Sequence, residues 1–248
     1  MSYSPNRADL QKIVILNPKG GCGKTTLATN LASYFALRGP PPTLLDCDSQ
    51  GFCMRWLERR RPDRAPIHGI AAYRQSPTIT RSWHLRVPAE TRQVIIDTPA
   101  ALDSSQIHEL IYDADNIIIP VLPSAFDIRF AAQFIADLLL VSQVERGNGK
   151  LSIVANRIKH NTLSLRQLMR FLNSLRIPVV ATLRDSQNYV RAAGRGIGIY
   201  ELPYHQASKD IRDLIGLISW LEKWQPPRPE VLHRAPLDEQ DPAPLPLH

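Results

Sequence analysis

The sequence has little cysteine, no long apolar run and no acidic excess. Only Cys22, Cys47 and Cys53 occur among its 248 residues. They are odd in number and lack metal-ligand spacing, which argues against a disulfide framework and suits a reducing cytoplasm. No run of about 18 apolar residues is present, so no membrane-spanning helix is expected. The first twelve residues, MSYSPNRADLQK, have no apolar core of a secretory signal. What is present in quantity is apolar residue, 44% of the chain. That suffices for a sizeable core in one large domain. The net charge of +7 leans toward an anionic partner, DNA or a lipid surface.

The most informative stretch is residues 12 to 31, KIVILNPKGGCGKTTLATNL. Ile13, Val14, Ile15 and Leu16 read as a short buried strand. A glycine-rich turn follows, Lys19-Gly20-Gly21-Cys22-Gly23-Lys24-Thr25-Thr26, and then apolar residues at helical spacing. Strand, glycine loop and helix in that order make a phosphate cradle. The loop's N–H groups turn inward, and the helix N-terminus adds partial positive charge. Lys24 is expected to reach the β- and γ-phosphates and the Thr25 hydroxyl to ligate Mg²⁺. Cys22 has two readings, a thiolate favoured by the helix N-terminus or a small residue filling the loop.

The form KGGxGKTT, with Pro18 in the first glycine position and the early Lys19, resembles the deviant Walker A loop of the ParA/MinD family of ATPases. The resemblance implies that Lys19 crosses a dimer interface to the phosphates held by the partner subunit. Further segments carry it. Thr43-Leu44-Leu45-Asp46-Cys47-Asp48-Ser49-Gln50-Gly51 resembles the family's DxDPQG. It implies that Asp46 helps hold hydrated Mg²⁺ and that Asp48 positions the attacking water. The bland alternative for one such carboxylate is a helix cap. Val94 to Asp97 is an apolar strand ending in an aspartate of Walker B type, so Asp97 is expected to hold Mg²⁺ through water. Ala101 stands where the family has glycine. Ser124-Ala125-Phe126-Asp127 is similar to the family's step into a helix. Asn156 ends another strand, where the family contacts adenine; capping the next turn is its other reading.

The remaining elements follow from periodicity. Strands are expected at 117–123, 151–156 and 177–182, and helices at 128–145, 162–175 and 205–224. Gly147-Asn148-Gly149 reads as a turn. The last helix is expected to bury Ile211, Leu214, Ile215, Ile218 and Leu221 on one face. Residues 66 to 73 read as a short helix. Arg55, Arg59, Arg60, Arg61 and Arg64, around Trp56, read either as an interaction patch or as a solvated face with one buried tryptophan. Strands separated by helices predict an α/β fold, a doubly wound and mostly parallel sheet with helices on both faces. The expected domain is residues 1–224. Residues 225–248 hold seven prolines and four carboxylates against two arginines, a flexible polyproline-leaning tail.

Between Asn156 and Arg195 lie eight basic residues opposed only by Asp185. Phosphate neutralisation by such side chains is non-specific and salt-dependent. The DNA-contacting set expected is Arg184, Arg191 and Arg195, then Lys159 and Arg170. The resemblance implies an ATP- and Mg²⁺-dependent sandwich homodimer that binds nucleoid DNA in the cytoplasm and positions a cargo: a plasmid, a chromosome, or an assembly such as a carboxysome or chemoreceptor cluster. A ParB-like partner is expected to stimulate hydrolysis. The competing reading is a MinD-like switch on a membrane, which needs a terminal basic amphipathic helix. A metal-cluster carrier of the wider group usually needs a CxxC pair, absent here.

Overall fold

The structure, a computed structural model, describes residues 10–74, 87–141, 150–159 and 161–224. The expected tail and the Gly147-Asn148-Gly149 turn lie outside the described residues. Seven strands form one all-parallel sheet: β1 Gln11–Ile15, β2 Thr43–Asp46, β3 His68–Ala71, β4 Gln93–Asp97, β5 Asn116–Val121, β6 Leu151–Ile158 and β7 Val179–Arg184. Their spatial order is β3-β2-β4-β1-β5-β6-β7. The helices are α1 Lys24–Ala36, α2 Phe52–Glu58, α3 Ser104–Tyr112, α4 Ala125–Val141, α5 Leu163–Ser174, α6 Gln187–Gly194 and α7 Tyr204–Glu222.

The apolar strands are covered on both faces, as a parallel sheet requires. Along β1 the side chains alternate. Val14 joins one core with Phe134 and Ile135 of α4 and Leu168 of α5. Ile13 and Ile15 join the other with Leu27 and Leu31 of α1, Trp56 of α2 and Leu214 of α7. The strand's polar start is buried too, and its groups are satisfied. Gln11 Nε2 donates to Asn116 Oδ1 and Leu221 O, and the Lys12 ammonium pairs with Asp113. Pro120 sits inside β5 at no cost to the ladder. The β1 pairing stops at Ile118, and beyond it Asn17 Nδ2 donates to Pro120 O at 2.7 Å.

Two expectations fail here. Residues 66 to 73 are not a helix. His68–Ala71 is an edge strand paired with β2, followed by a 3₁₀ turn at Ala72–Arg74. The edge of β2 needs a partner, and Gly69 fits tightly: a Cβ there would lie 2.5 Å from Leu57 Cδ1. On α7, Ile215 is 53% exposed; Leu217, not Ile215, completes the buried stripe with Leu214, Ile218 and Leu221. No helix among the described residues is long and apolar enough to cross a membrane.

Candidate functional site

The chain reverses direction across the sheet at β1, so its carboxyl end opens on the crevice where ligands bind in such folds. The glycine loop leaves β1 there. Gly21 and Gly23 take φ of 77° and 99°, a region closed to most side chains. Gly23 is doubly required, since a Cβ would lie 2.2 Å from Asn156 Nδ2. Lys24 is buried at the start of α1, its ammonium donating to Asn17 O at 2.9 Å and Lys19 O at 3.2 Å. Thr25 Oγ1 donates to Asp97 Oδ2 at 2.6 Å. Gly20, Gly21, Lys24, Thr25, Asp48 and Ala100 contribute to the wall of a cavity of about 460 Å³, as do Gly23 and Thr26.

Strand register delivers the carboxylates. Asp46 and Asp97 end β2 and β4 as direct neighbours. Asp46 accepts from Asp48 N, Cys53 N and Met54 N, so it holds the start of α2 and shapes its own loop. Burial pushes its carboxyl up from the usual value. Asp97 is 1% exposed and is pushed up to about 6 by burial, with the Thr25 and Cys53 hydrogen bonds opposing. Its Oδ1 is buried without a hydrogen-bond partner among the described residues. A hard divalent cation fits this donor set: a hydroxyl and two neighbouring carboxylates, one with an orphaned oxygen. Asp48 is half-buried at the cavity wall, its Oδ1 accepting from Gln50 N.

Lys19 Nζ is ion-paired within the subunit to Asp127, which also receives the Ser124 hydroxyl at the start of α4. The thiolate reading of Cys22 does not survive the geometry. Its thiol is buried, donates to Lys19 O and is raised above its usual pKa, burial outweighing Lys24. Asn156 lies beneath the loop: its Nδ2 donates to Cys22 O at 2.7 Å and its Oδ1 accepts from Arg157 N. Its amide thus braces the loop and caps the bend at Arg157, where φ is 51°.

The expected DNA set divides. Arg184, partly exposed, forms a two-pronged pair with Asp213 at 2.6 and 2.8 Å within the subunit. The acid comes from α7, far along the chain, which counting along the segment did not reveal. Arg191, Arg195, Lys159 and Arg170 are exposed. They do not form one cluster, because α6 packs on one sheet face and α5 on the other. The arginine-rich segment splits too. Arg60 pairs with buried Glu201, Arg55 lies over Phe52, and Arg61 meets Asp63 at the surface. Sequence reasoning missed the Arg60–Glu201 clamp and Cys53, whose thiol donates to Asp97 Oδ2 at 3.2 Å.

Comparison with known proteins agrees with this geometry. Residues 13–199 match the CobQ/CobB/MinD/ParA nucleotide binding domain. The chain is 28% identical over 196 residues to maintenance of carboxysome distribution protein A of Halothiobacillus neapolitanus, covering 77% of this chain and 87% of that one. A putative plasmid partition protein of Borrelia burgdorferi bound to AMPPNP superposes with a TM-score of 0.66 at 15% identity, covering 85% and 99% of the two chains. A Cyanothece McdA–ATP complex gives 0.65 at 17%, covering 88% and 98%. With its glycine loop, its two neighbouring strand-end aspartates and a family match over most of its length, the chain belongs to the CobQ/CobB/MinD/ParA nucleotide-binding family.

Proposed function

We propose that this chain is a ParA-like ATPase whose ATP-bound form is a sandwich homodimer that grips DNA without sequence preference and positions a cargo. The observation that carries the reading is the convergence of Lys19, Lys24, Thr25, Asp46, Asp48 and Asp97 on one end of the sheet. Lys24 and the loop N–H groups neutralise phosphate charge and hold the chain of phosphates in line. Thr25, Asp46 and Asp97 would hold Mg²⁺, which would supply further cancellation of phosphate charge. Asp48 orients the attacking water from the cavity wall. The loop after β4, with Ala100 at the wall, closes the site from the other side.

Lys19 completes the site only from a second subunit, and to do so it must leave Asp127. The face that carries it favours association. A groove of about 660 Å³ beside Lys19 is lined by Leu102, Ile107, Phe126 and Phe130, and Phe126 is 82% exposed. An apolar surface of this kind marks an interaction site. The similarity to a carboxysome distribution protein favours a protein assembly as cargo, served by a hydrolysis-stimulating adaptor. The membrane alternative loses support, because the apolar stripe of α7 is buried on the sheet.

The test is light scattering with DNA and anionic vesicles in parallel, with ATP, ADP or no nucleotide. ATP is expected to give a dimer that binds DNA at low salt, and Lys19→Ala is expected to abolish the dimer. An ATP-loaded monomer at every concentration overturns the reading. Binding to vesicles but not to DNA replaces it with the membrane switch.

A further inference from the structure

One side chain in the carboxylate pair's surroundings has no use for a hard cation. Cys53, on the first turn of α2, is fully buried. Its backbone N–H donates to Asp46 Oδ2 at 3.0 Å, and its thiol donates to Asp97 Oδ2 at 3.2 Å. Ligand atoms of Asp46, Cys53 and Asp97 all lie within 4.8 Å of one another, and all three residues are buried. A tetrahedral ion with sulfur at about 2.3 Å and oxygen at about 2.0 Å has sulfur–oxygen edges of about 3.5 Å. The observed thiol–carboxylate distance is already close to that. Independently, Asp97 Oδ1 is buried with no hydrogen-bond partner among the described residues. It belongs to the carboxylate whose Oδ2 accepts from the thiol.

Mg²⁺ demands oxygen donors and keeps several waters, so sulfur adds nothing for it. Borderline-soft ions take mixed sulfur and oxygen sets. We propose that Asp46, Cys53 and Asp97 form a site for a thiophilic divalent cation of the zinc class, filled in the nucleotide-free protein. On binding, the Cys53 thiol gives its proton to solvent, and a sulfur–metal bond replaces the thiol's hydrogen bond to Asp97. Because Asp46 and Asp97 are also the carboxylates read above as holding Mg²⁺, this ion competes with the Mg²⁺-nucleotide. That competition rests on the nucleotide reading above; the metal site itself does not.

The experiment uses the full chain, nucleotide-free and under reducing, anaerobic conditions. Cd²⁺ titration is followed by the ultraviolet thiolate-to-cadmium charge-transfer band, with Zn²⁺ as the displacing ion. A band that saturates at one ion per chain is expected, unchanged in Cys22→Ser and Cys47→Ser. In Cys53→Ser it is expected to vanish, and Zn²⁺ affinity to fall at least on the order of 100-fold, the upper end of what losing a supporting contact costs. Far-ultraviolet dichroism reports folding. If Cys53→Ser does not fold, Asp97→Asn with Cys53 intact must weaken the band alike. No band in the wild type, or a band that survives both substitutions, overturns the site. A wild-type band that Mg²⁺-ATP leaves unchanged overturns the competition and counts against the nucleotide placement, while the metal site stands.

Discussion

Asp97 holds its carboxylate where water cannot reach it, and that has a sign. Its pKa is raised to about 6 in the folded chain, with burial the largest cause. A carboxyl raised on folding binds protons more readily in the native state. Folding therefore bears no charge-burial cost below the unfolded value near 3.8, and the full cost above about 6. A shift of about two units corresponds to about 3 kcal/mol. In nucleotide-free protein, Asp97→Asn is expected to raise unfolding free energy at pH 7.5 by about 1–3 kcal/mol. The gain should shrink to nothing as pH falls from 6 toward 4. Urea unfolding across that range checks it. The same substitution should abolish Mg²⁺-dependent tightening of nucleotide binding. Gly23 offers a second residue-scale test. Gly23→Ala forces a Cβ into Asn156 and a side chain into φ of 99°, at a cost of about 1–3 kcal/mol. Loss of binding to a fluorescent ATP analogue, with the far-ultraviolet spectrum retained, is the expected result.

Between elements, the turn after α2 is clamped to the turn before α7. Arg60 donates twice to Glu201, which also accepts from Ser33 of α1 and from Gly198 N. Burial alone would raise the Glu201 carboxyl, but Arg60 and Ser33 bring it below its usual value. Glu201→Ala leaves the Arg60 charge buried and unpaired, so a loss of about 3–5 kcal/mol is expected in urea unfolding. This element-scale tie marks the limit of reading the chain linearly. The glycine loop, the strand-end aspartates and six of the seven strands were legible because their signals are local: apolar runs, glycines and a fixed spacing. β3 was not, since Gly69 and Ala71 say little by themselves and the strand exists because the edge of β2 needs a partner. α3 was also missed, although the Asp103-to-Gln106 capping box that the structure forms in full was a local signal for it. Arg184 and Arg60 looked like surface charge because Asp213 and Glu201 lie far away in sequence. Pairings across such distances are set by packing and leave no local trace.

For the whole molecule, the proposed grip on DNA turns on which cations remain free once the chain has folded. Arg184 is paired with Asp213 within the subunit, and Arg157 with Asp185 at the surface. Arg191 and Arg195 are exposed on α6 and at its end, flanking Ala193, which lines the nucleotide cavity. Under the proposed function, a nucleotide in that cavity touches the element that carries both arginines, a short route from ATP to DNA. Each phosphate contact contributes about 0.9 to the slope of log affinity against log salt. Because a dimer carries every arginine twice, Arg191→Ala with Arg195→Ala should flatten the slope by up to about 4. Arg184→Ala should behave differently. It strands Asp213 and Asp210 and costs about 2–3 kcal/mol of stability, below the fully buried case because the guanidinium is partly exposed, while the slope changes little. DNA binding by fluorescence anisotropy at several salt concentrations, with ATP, reads the slope, and urea unfolding reads the stability. If Arg184→Ala flattens the slope as strongly as the α6 pair, the Asp213 pair opens on DNA. The division between structural and DNA-facing arginines would then be wrong.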